Sequence, residues 1–257
     1  MLYPRIIPVL LVQNNGLVKT VNFKDGKYIG DPLNAVKIFN EKKADEIIVL
    51  DIDATKNNKR PNLDLIQNIA SECRMPLCYG GGIKSVEEIE KIISLGVEKV
   101  ALSSIVIEDR NIITKACEIV GSQSICVVLD VKKNINNKYE IFINNGQHKT
   151  IFLLEDFLHA ILNSGFGELV INSIDNDGTM LGYDLNLVDL VFKIVNTPVT
   201  IIGGAKSHED LSALIKKYKT IGLGVGSLFV FKGKYKAVLI NYPSNEEKKS
   251  IFNHLKN

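Results

Sequence analysis

Cysteine and histidine are scarce in this chain, four of each in 257 residues. The cysteines, Cys73, Cys78, Cys117 and Cys126, make no C-x-x-C pair, and two of them sit inside apolar, strand-like runs. They read as reduced core thiols of a cytosolic protein, not as a disulfide framework. His148, His159, His208 and His254 are scattered over loops and helical stretches, so neither a metal site nor a bound cofactor is expected. No apolar run approaches the ~20 residues that span a bilayer. The start, Met1-Leu2-Tyr3-Pro4-Arg5, passes straight into a strand-like run without the apolar stretch of a signal peptide. Charge of one sign is lacking too. The net value is +2 and lysines alternate with acids, which excludes the basic blocks of nucleic-acid or membrane binding. There is no P-loop and no nucleophile–base pair. A cytoplasmic globular protein is expected.

What is present is alternation. Short runs apolar on both faces, Arg5–Val12, Glu46–Asp51, Pro76–Gly80, Lys99–Leu102, Ser124–Val131, Glu168–Ile171, Pro198–Ile202 and Thr220–Leu223, are separated by stretches of helical period. Asp31-Pro32 predicts an N-cap with proline at the first helical position. Ser85-Val86-Glu87-Glu88 predicts a capping box, and Asp184 and Ser207 further N-caps. Eight strand–helix units in a chain of about the usual ~250 residues predict an α/β fold, a closed (β/α)8 barrel. Two loops at the C-terminal ends of strands are unusually long, Gln13 to Gly30 and Lys132 to Thr150. The second contains a hairpin signal, residues 139–143 followed by Asn144-Asn145-Gly146.

The chain also repeats itself. Pro76–Ser85 matches Pro198–Ser207 and Glu46–Asp53 matches Glu168–Asp175, both 122 residues apart, while Ile6–Val12 matches Ile125–Val131 at 119. One domain over 1–257 is expected, built of half-repeats 1–122 and 123–230 with a tail at 231–257. Each half supplies a glycine turn between a strand and a capped helix, Gly80-Gly81-Gly82 and Gly203-Gly204, where backbone N–H groups can approach an anion. One strand later come Ser103-Ser104 and Gly226-Ser227. Two phosphate cradles on opposite sides of the barrel mouth suit a ligand phosphorylated at both ends. The alternative is that the glycines only permit tight turns.

Asp130, at the end of the fifth run, can act as general acid or base, or else pair with Lys132 or Lys19. The half-repeat puts Leu11 at the equivalent point of the first run, and a leucine transfers no proton. After the sixth run, Asp177-Gly178-Thr179 ends a turn from which Asp177 and Thr179 would point into the mouth. At the opposite end, Arg5, Glu46, Lys99 and Glu168 stand where strands begin, either as a ring closing the barrel floor or as solvated strand-end charges.

These residues carry a family likeness. Ile6-Ile7-Pro8, Lys19, Gly30-Asp31-Pro32, Asp51, Gly80–Ile83, Asp130, Ser173–Thr179, Gly182-Tyr183-Asp184 and Gly203-Gly204-Ala205 resemble, in order over about 1–230, the cyclase subunit of imidazole glycerol phosphate synthase. The resemblance implies a lyase-type synthase subunit whose barrel bottom docks a glutaminase. Ammonia would pass a gate matched by Arg5, Glu46, Lys99 and Glu168 to a doubly phosphorylated substrate at the top. It adds Lys19 and Asp51 to the substrate-binding set of Gly81, Gly82, Ser103, Ser104, Asp177, Gly178, Thr179, Gly203, Gly204, Gly226 and Ser227. Three departures stand out: Leu11 where the histidine-pathway enzyme has an aspartate, Ser103-Ser104 where it has Asn-Thr, and the tail Phe231–Pro243. They resemble a paralogous branch associated with amidation of bacterial surface sugars, whose glutaminase–barrel pair feeds a sugar amidotransferase. The housekeeping cyclase and a non-catalytic scaffold for the glutaminase remain as alternatives.

Overall fold

In the computed structural model, residues 3–253 are described; Met1, Leu2 and His254 to Asn257 lie outside them. The strand-like runs become eight parallel strands: β1 (Arg5–Gln13), β4 (Ile47–Asp51), β5 (Leu77–Gly80), β6 (Lys99–Leu102), β7 (Ile125–Lys133), β10 (Glu168–Ser173), β11 (Val199–Ile202) and β12 (Gly222–Val225). They pair in the order β10-β11-β12-β1-β4-β5-β6-β7, and β10 also pairs with β7, so the sheet closes on itself. The fold is a (β/α)8 barrel. Its eighth strand begins two residues later than expected and runs on to Val225, with Gly222 against the Thr200 side chain and Gly224 against that of Ile202 on the neighbouring strand.

The outer helices include α1 (Pro32–Glu41), α2 (Ile52–Lys56), α3 (Leu63–Glu72), α4 (Val86–Ser94), α5 (Ser104–Glu108), α6 (Asn111–Val120), α7 (Leu154–Ile161), α8 (Leu185–Ile194) and α9 (His208–Tyr218). Asp31, Ser85, Asp184 and Ser207 each cap a helix through a side-chain oxygen. The capping box at Ser85 is incomplete: the Glu88 carboxylate accepts from Lys84 N–H at 2.8 Å, one residue before the cap. Phe39, Ile66, Ile69, Ile89, Ile92, Ile113, Leu187 and Leu214 are buried where helices meet strands, at about 1.5–3 kcal/mol for each large apolar side chain.

The stretch expected as a long loop after β1 is instead an antiparallel ribbon, β2 (Gly16–Val21) and β3 (Lys24–Gly30), with β2 paired to β1. Its turn is Asn22-Phe23, both at positive φ, without the glycine that normally signals such a turn. The second excursion, β8 (Tyr139–Ile143) and β9 (His148–Leu153), is the expected hairpin and extends β7. After β12 the chain forms β13 (Phe231–Lys232), β14 (Ala237–Val238) and α10 (Asn245–Ile251).

Alternation along each strand sends every second side chain inward. The register and stagger of the strands stack these residues in levels, four per level from alternate strands, as in other barrels of this kind. Glu46, Lys99, Glu168 and Gly222 form the lowest level of the axis. Ile7, Cys78, Cys126 and Thr200 come next, then Ile48, Ala101, Val170 and Gly224, then Val9, Gly80, Val128 and Ile202. At the top stand Leu50, Ser103, Asn172 and Gly226, and above them Leu11, Gly82, Asp130 and Gly204.

Candidate active site

The top levels open into a cavity of about 1350 Å³, mouth included. Asp130 and Leu11 project into it at the same level from opposite walls, β7 and β1. The Asp130 carboxylate accepts one hydrogen bond, from Asn172 Nδ2 at 3.1 Å, and pairs with neither Lys132 nor Lys19. Burial pushes its carboxyl up to about 7, because one neutral donor replaces little of the water a carboxylate loses. Asn172 carries no motif in the sequence and was not among the expected site residues; its position two residues before Ile174 on the inward phase of β10 is the signal that finds it.

Lys19 reaches the same cavity from β2 and is 5% exposed. Its ammonium donates to the Val9 carbonyl at 2.5 Å and lies beside Gly226, where a Cβ would sit 2.9 Å from Nζ. Burial draws it down to about 8, offset in part by the Asp177 charge. Asp177 Oδ2 accepts from the Thr20 hydroxyl at 2.9 Å, and burial raises this carboxyl as well. The ribbon and the loop after β10 are therefore fastened together. Asn22 N–H donates to Asp177 O, and Asn22 Nδ2 to the Ile174 and Asp175 carbonyls. Gly178, at φ +70, passes so close that a Cβ would lie 2.0 Å from Thr20 O.

Gly81, Gly82, Ser103 and Ser104 line one side of the cavity, and Gly203, Gly204, Gly226 and Ser227 the other. Gly81 at φ +124 and Gly203 at φ +101 turn the chain in the same way in both halves, each against the carbonyl of the preceding barrel strand, Asp51 O and Ser173 O. Asp51 also faces the cavity, and its Oδ1 accepts from Asp53 and Ala54 N–H to cap α2; burial raises it, and these bonds hold it back. Thr179 departs from expectation. Its hydroxyl donates to Asn176 O and accepts from Leu181 N–H, closing its own turn away from the cavity. Phe23 and Asn145, from the two long loops, and Met180, just past the sixth strand's turn, also line the cavity, though none was an expected site residue.

At the floor, the four charges form a closed ring. Arg5 pairs with both Glu46 and Glu168, and Lys99 bonds Glu46 at 2.7 Å and Glu168 at 2.8 Å. Thr200 adds a hydroxyl to Glu168. Burial opposes the Lys99 charge, yet the two carboxylates outweigh it and its pKa rises. Burial also disfavours charged Glu168, and the two cations overturn that, leaving its carboxyl below the ordinary range. Two cations and two carboxylates thus compensate one another's charge inside the barrel.

A closed barrel with a glycine-walled cavity at its C-terminal face and a charge ring at its floor defines a (β/α)8 protein whose site lies where barrel active sites lie. The profile of the histidine biosynthesis protein family matches residues 5–236, and the chain belongs to that family. A Vibrio vulnificus protein with the provisional name imidazole glycerol phosphate synthase subunit hisF3 is 57% identical over 97% of this chain and 96% of its own length. A Leptospira borgpetersenii protein, provisionally named as subunit HisF of the same synthase, is 52% identical over 98% and 100%. The imidazole glycerol phosphate synthase subunit HisF of Alkaliphilus metalliredigens is 37% identical over 82% and 84%. No helix among the described residues is long and apolar enough to cross a membrane.

Proposed function

We propose that this chain is the ammonia-receiving synthase subunit of a glutamine-dependent pair, and that its product lies in the amidation of a surface sugar. A glutaminase would dock beneath the barrel and release ammonia at the ring of Arg5, Glu46, Lys99 and Glu168. The neutral gas would pass the levels of Cys78 and Cys126, then of Val9 and Val128, and meet a phosphorylated acceptor in the cavity. Gly81, Gly82, Ser103 and Ser104 would hold one phosphate, and Gly203, Gly204, Gly226 and Ser227 the other. Asp130 would move the proton, and a sugar amidotransferase would take the nitrogen onward. The chain is read as one domain of two half-barrels, 1–122 and 123–230, with a divergent tail.

The observation that carries this reading is a level holding Asp130 on one wall and Leu11 on the other. A two-carboxylate cyclase cannot run unchanged there, since losing one acid–base group removes about 10²–10⁴ in rate. Identity is 57% and 52% to two provisionally named subunits of imidazole glycerol phosphate synthase and 37% to one named outright, a pattern compatible with either reading. The housekeeping cyclase is the second reading. It is favoured by Asp130 near 7, poised for proton transfer at neutral pH. Complementation separates the two: the chain should fail to restore robust growth to a histidine auxotroph lacking its cyclase, and its deletion should remove amidino groups from the surface glycan. Robust growth would decide for the housekeeping enzyme. A scaffold without ligand is excluded by any phosphosugar that raises the melting temperature.

A further inference from the structure

The tail ends in a contact that bears on the floor ring. The Tyr242 side chain, 3% exposed, packs between Phe39 and Phe229. Its hydroxyl donates to Ile6 O at 2.9 Å and accepts from Asp45 N–H at 3.1 Å. Asp45 Oδ2 in turn accepts from Ile6 N–H at 3.0 Å, and Lys248 of α10 pairs with Oδ1. Ile6 and Asp45 are the chain neighbours of Arg5 and Glu46.

These bonds occupy a gap in the sheet. Arg5 N–H points to β12, where it meets Ile221 O. The N–H and C=O of Ile6 therefore point the other way, toward β4. The β1–β4 ladder, however, begins at Val9↔Ile48, several residues higher. Stagger between the strands leaves no backbone partner at Ile6, and buried backbone groups need one. The Asp45 carboxylate supplies the acceptor and the Tyr242 hydroxyl the bridge. Two side chains, one from the tail, thus make the missing rung directly beside the Arg5–Glu46 pair.

We propose that Tyr242 is a positioning residue for the charge ring: its hydroxyl holds the β1–β4 seam shut so that Arg5 and Glu46 keep their ion pair and ammonia crosses only through the centre. This rests on the conduit reading above. Without the hydroxyl, Ile6 O and Asp45 N–H lose their partner, the seam loosens, and the gap between Arg5 and Glu46 becomes a leak to solvent.

The test uses the chain reconstituted with its glutaminase and glutamine labelled with ¹⁵N at the amide. The fraction of released nitrogen that reaches product is compared with the fraction that escapes as ammonium, for the parent, Tyr242→Phe and Lys248→Met. Tyr242→Phe keeps the ring packing and removes only the hydroxyl. It is expected to lower the fraction transferred and raise the fraction that escapes, while glutamine hydrolysis and the rate with added ammonium chloride stay at parental values. Lys248→Met removes the counter-ion of Asp45 and the cation over the Tyr242 ring but leaves both hydrogen bonds of the Tyr242 hydroxyl in place, and should couple like the parent. Full coupling in Tyr242→Phe overturns the assignment, and so does equal leakage in Lys248→Met, which would make tail docking the cause. If the parent itself transfers no labelled nitrogen, the conduit reading fails first and this inference with it.

Discussion

Leu11 and Asp130 face the cavity at one level from opposite walls, and the proposed function makes them the pair to test at the scale of single residues. The Asp130 carboxyl, buried with one amide donor and near the Asp177 charge, binds its proton more tightly in the folded chain than in the unfolded one, where the pKa is about 3.9. Its folded value is about 7. The unfolded state therefore sheds the proton first as pH rises, and this group makes stability fall between about pH 4 and pH 7, with no further change above. Asp130→Asn removes that penalty. Thermal unfolding should find the variant gaining on the parent by a few °C between pH 5 and pH 8, at ~2–4 °C per kcal/mol; a constant offset across that range would mean that Asp130 is not desolvated. The same variant should lose about 10²-fold or more in product formation if Asp130 moves the proton. Leu11→Asp makes the opposite change, placing a second carboxylate at the same level. It should give the chain measurable imidazole glycerol phosphate synthesis where the parent has little, scored by growth of the auxotroph. A variant no better than the parent would show that more than one side chain separates this protein from the housekeeping cyclase.

At the level of elements, the ribbon β2–β3 works as a roof beam whose fastening is Asn22. Asn22→Ala keeps the backbone bond to Asp177 but drops two side-chain bonds, each worth about 0.5–1.5 kcal/mol net. Limited proteolysis should then cut within 22–28 faster than in the parent by several-fold, with the barrel intact; unchanged cleavage would mean that Asn22 does not fasten the roof. This ribbon is also where reading the sequence fell short. The barrel strands were legible because both faces are apolar, and the helix starts because Asp31, Ser85, Asp184 and Ser207 bond their own first turns. The β3 strand was not, since its first five residues, Lys24 to Tyr28, are all exposed and none is aliphatic, so no alternation marks it. Its turn puts a phenylalanine at φ +63, with the ring against the cavity and Gly146 and the backbone N–H held by the Asp177 carboxylate. Thr179 was misplaced for a related reason: a turn closed by its own hydroxyl looks, in sequence, like one presenting that hydroxyl to a ligand. Asn172 was missed because an inward asparagine in an apolar run has no motif.

For the whole molecule, the consequence lies in how two ends of one axis are joined. Glu46, just before β4, and Lys99 and Glu168, at the starts of β6 and β10, come from alternate positions around the barrel, and Gly222 at the start of β12 leaves the side that Arg5 closes. Removing one cation tests the arrangement. In Lys99→Ala, Glu46 and Glu168 share Arg5 alone, and two buried carboxylates lose half their compensation. Breaking such a buried pair costs on the order of 3–5 kcal/mol when a charge is left unpaired, and less here because Arg5 remains and Lys99 keeps some contact with water. The melting temperature should fall by about 5–10 °C at neutral pH. The sign with pH follows from Glu168, whose folded pKa lies below its ordinary value. Its contribution is present above the unfolded pKa of about 4.3 and disappears as acid protonates the folded carboxylate, so the gap between parent and variant should narrow toward low pH. In the reconstituted pair, glutamine hydrolysis should continue while the released nitrogen escapes, because the opening left by the lysine side chain admits water to the axis. If the variant still transferred its nitrogen as tightly as the parent, the ring would be a structural clasp and the route for ammonia would have to lie elsewhere.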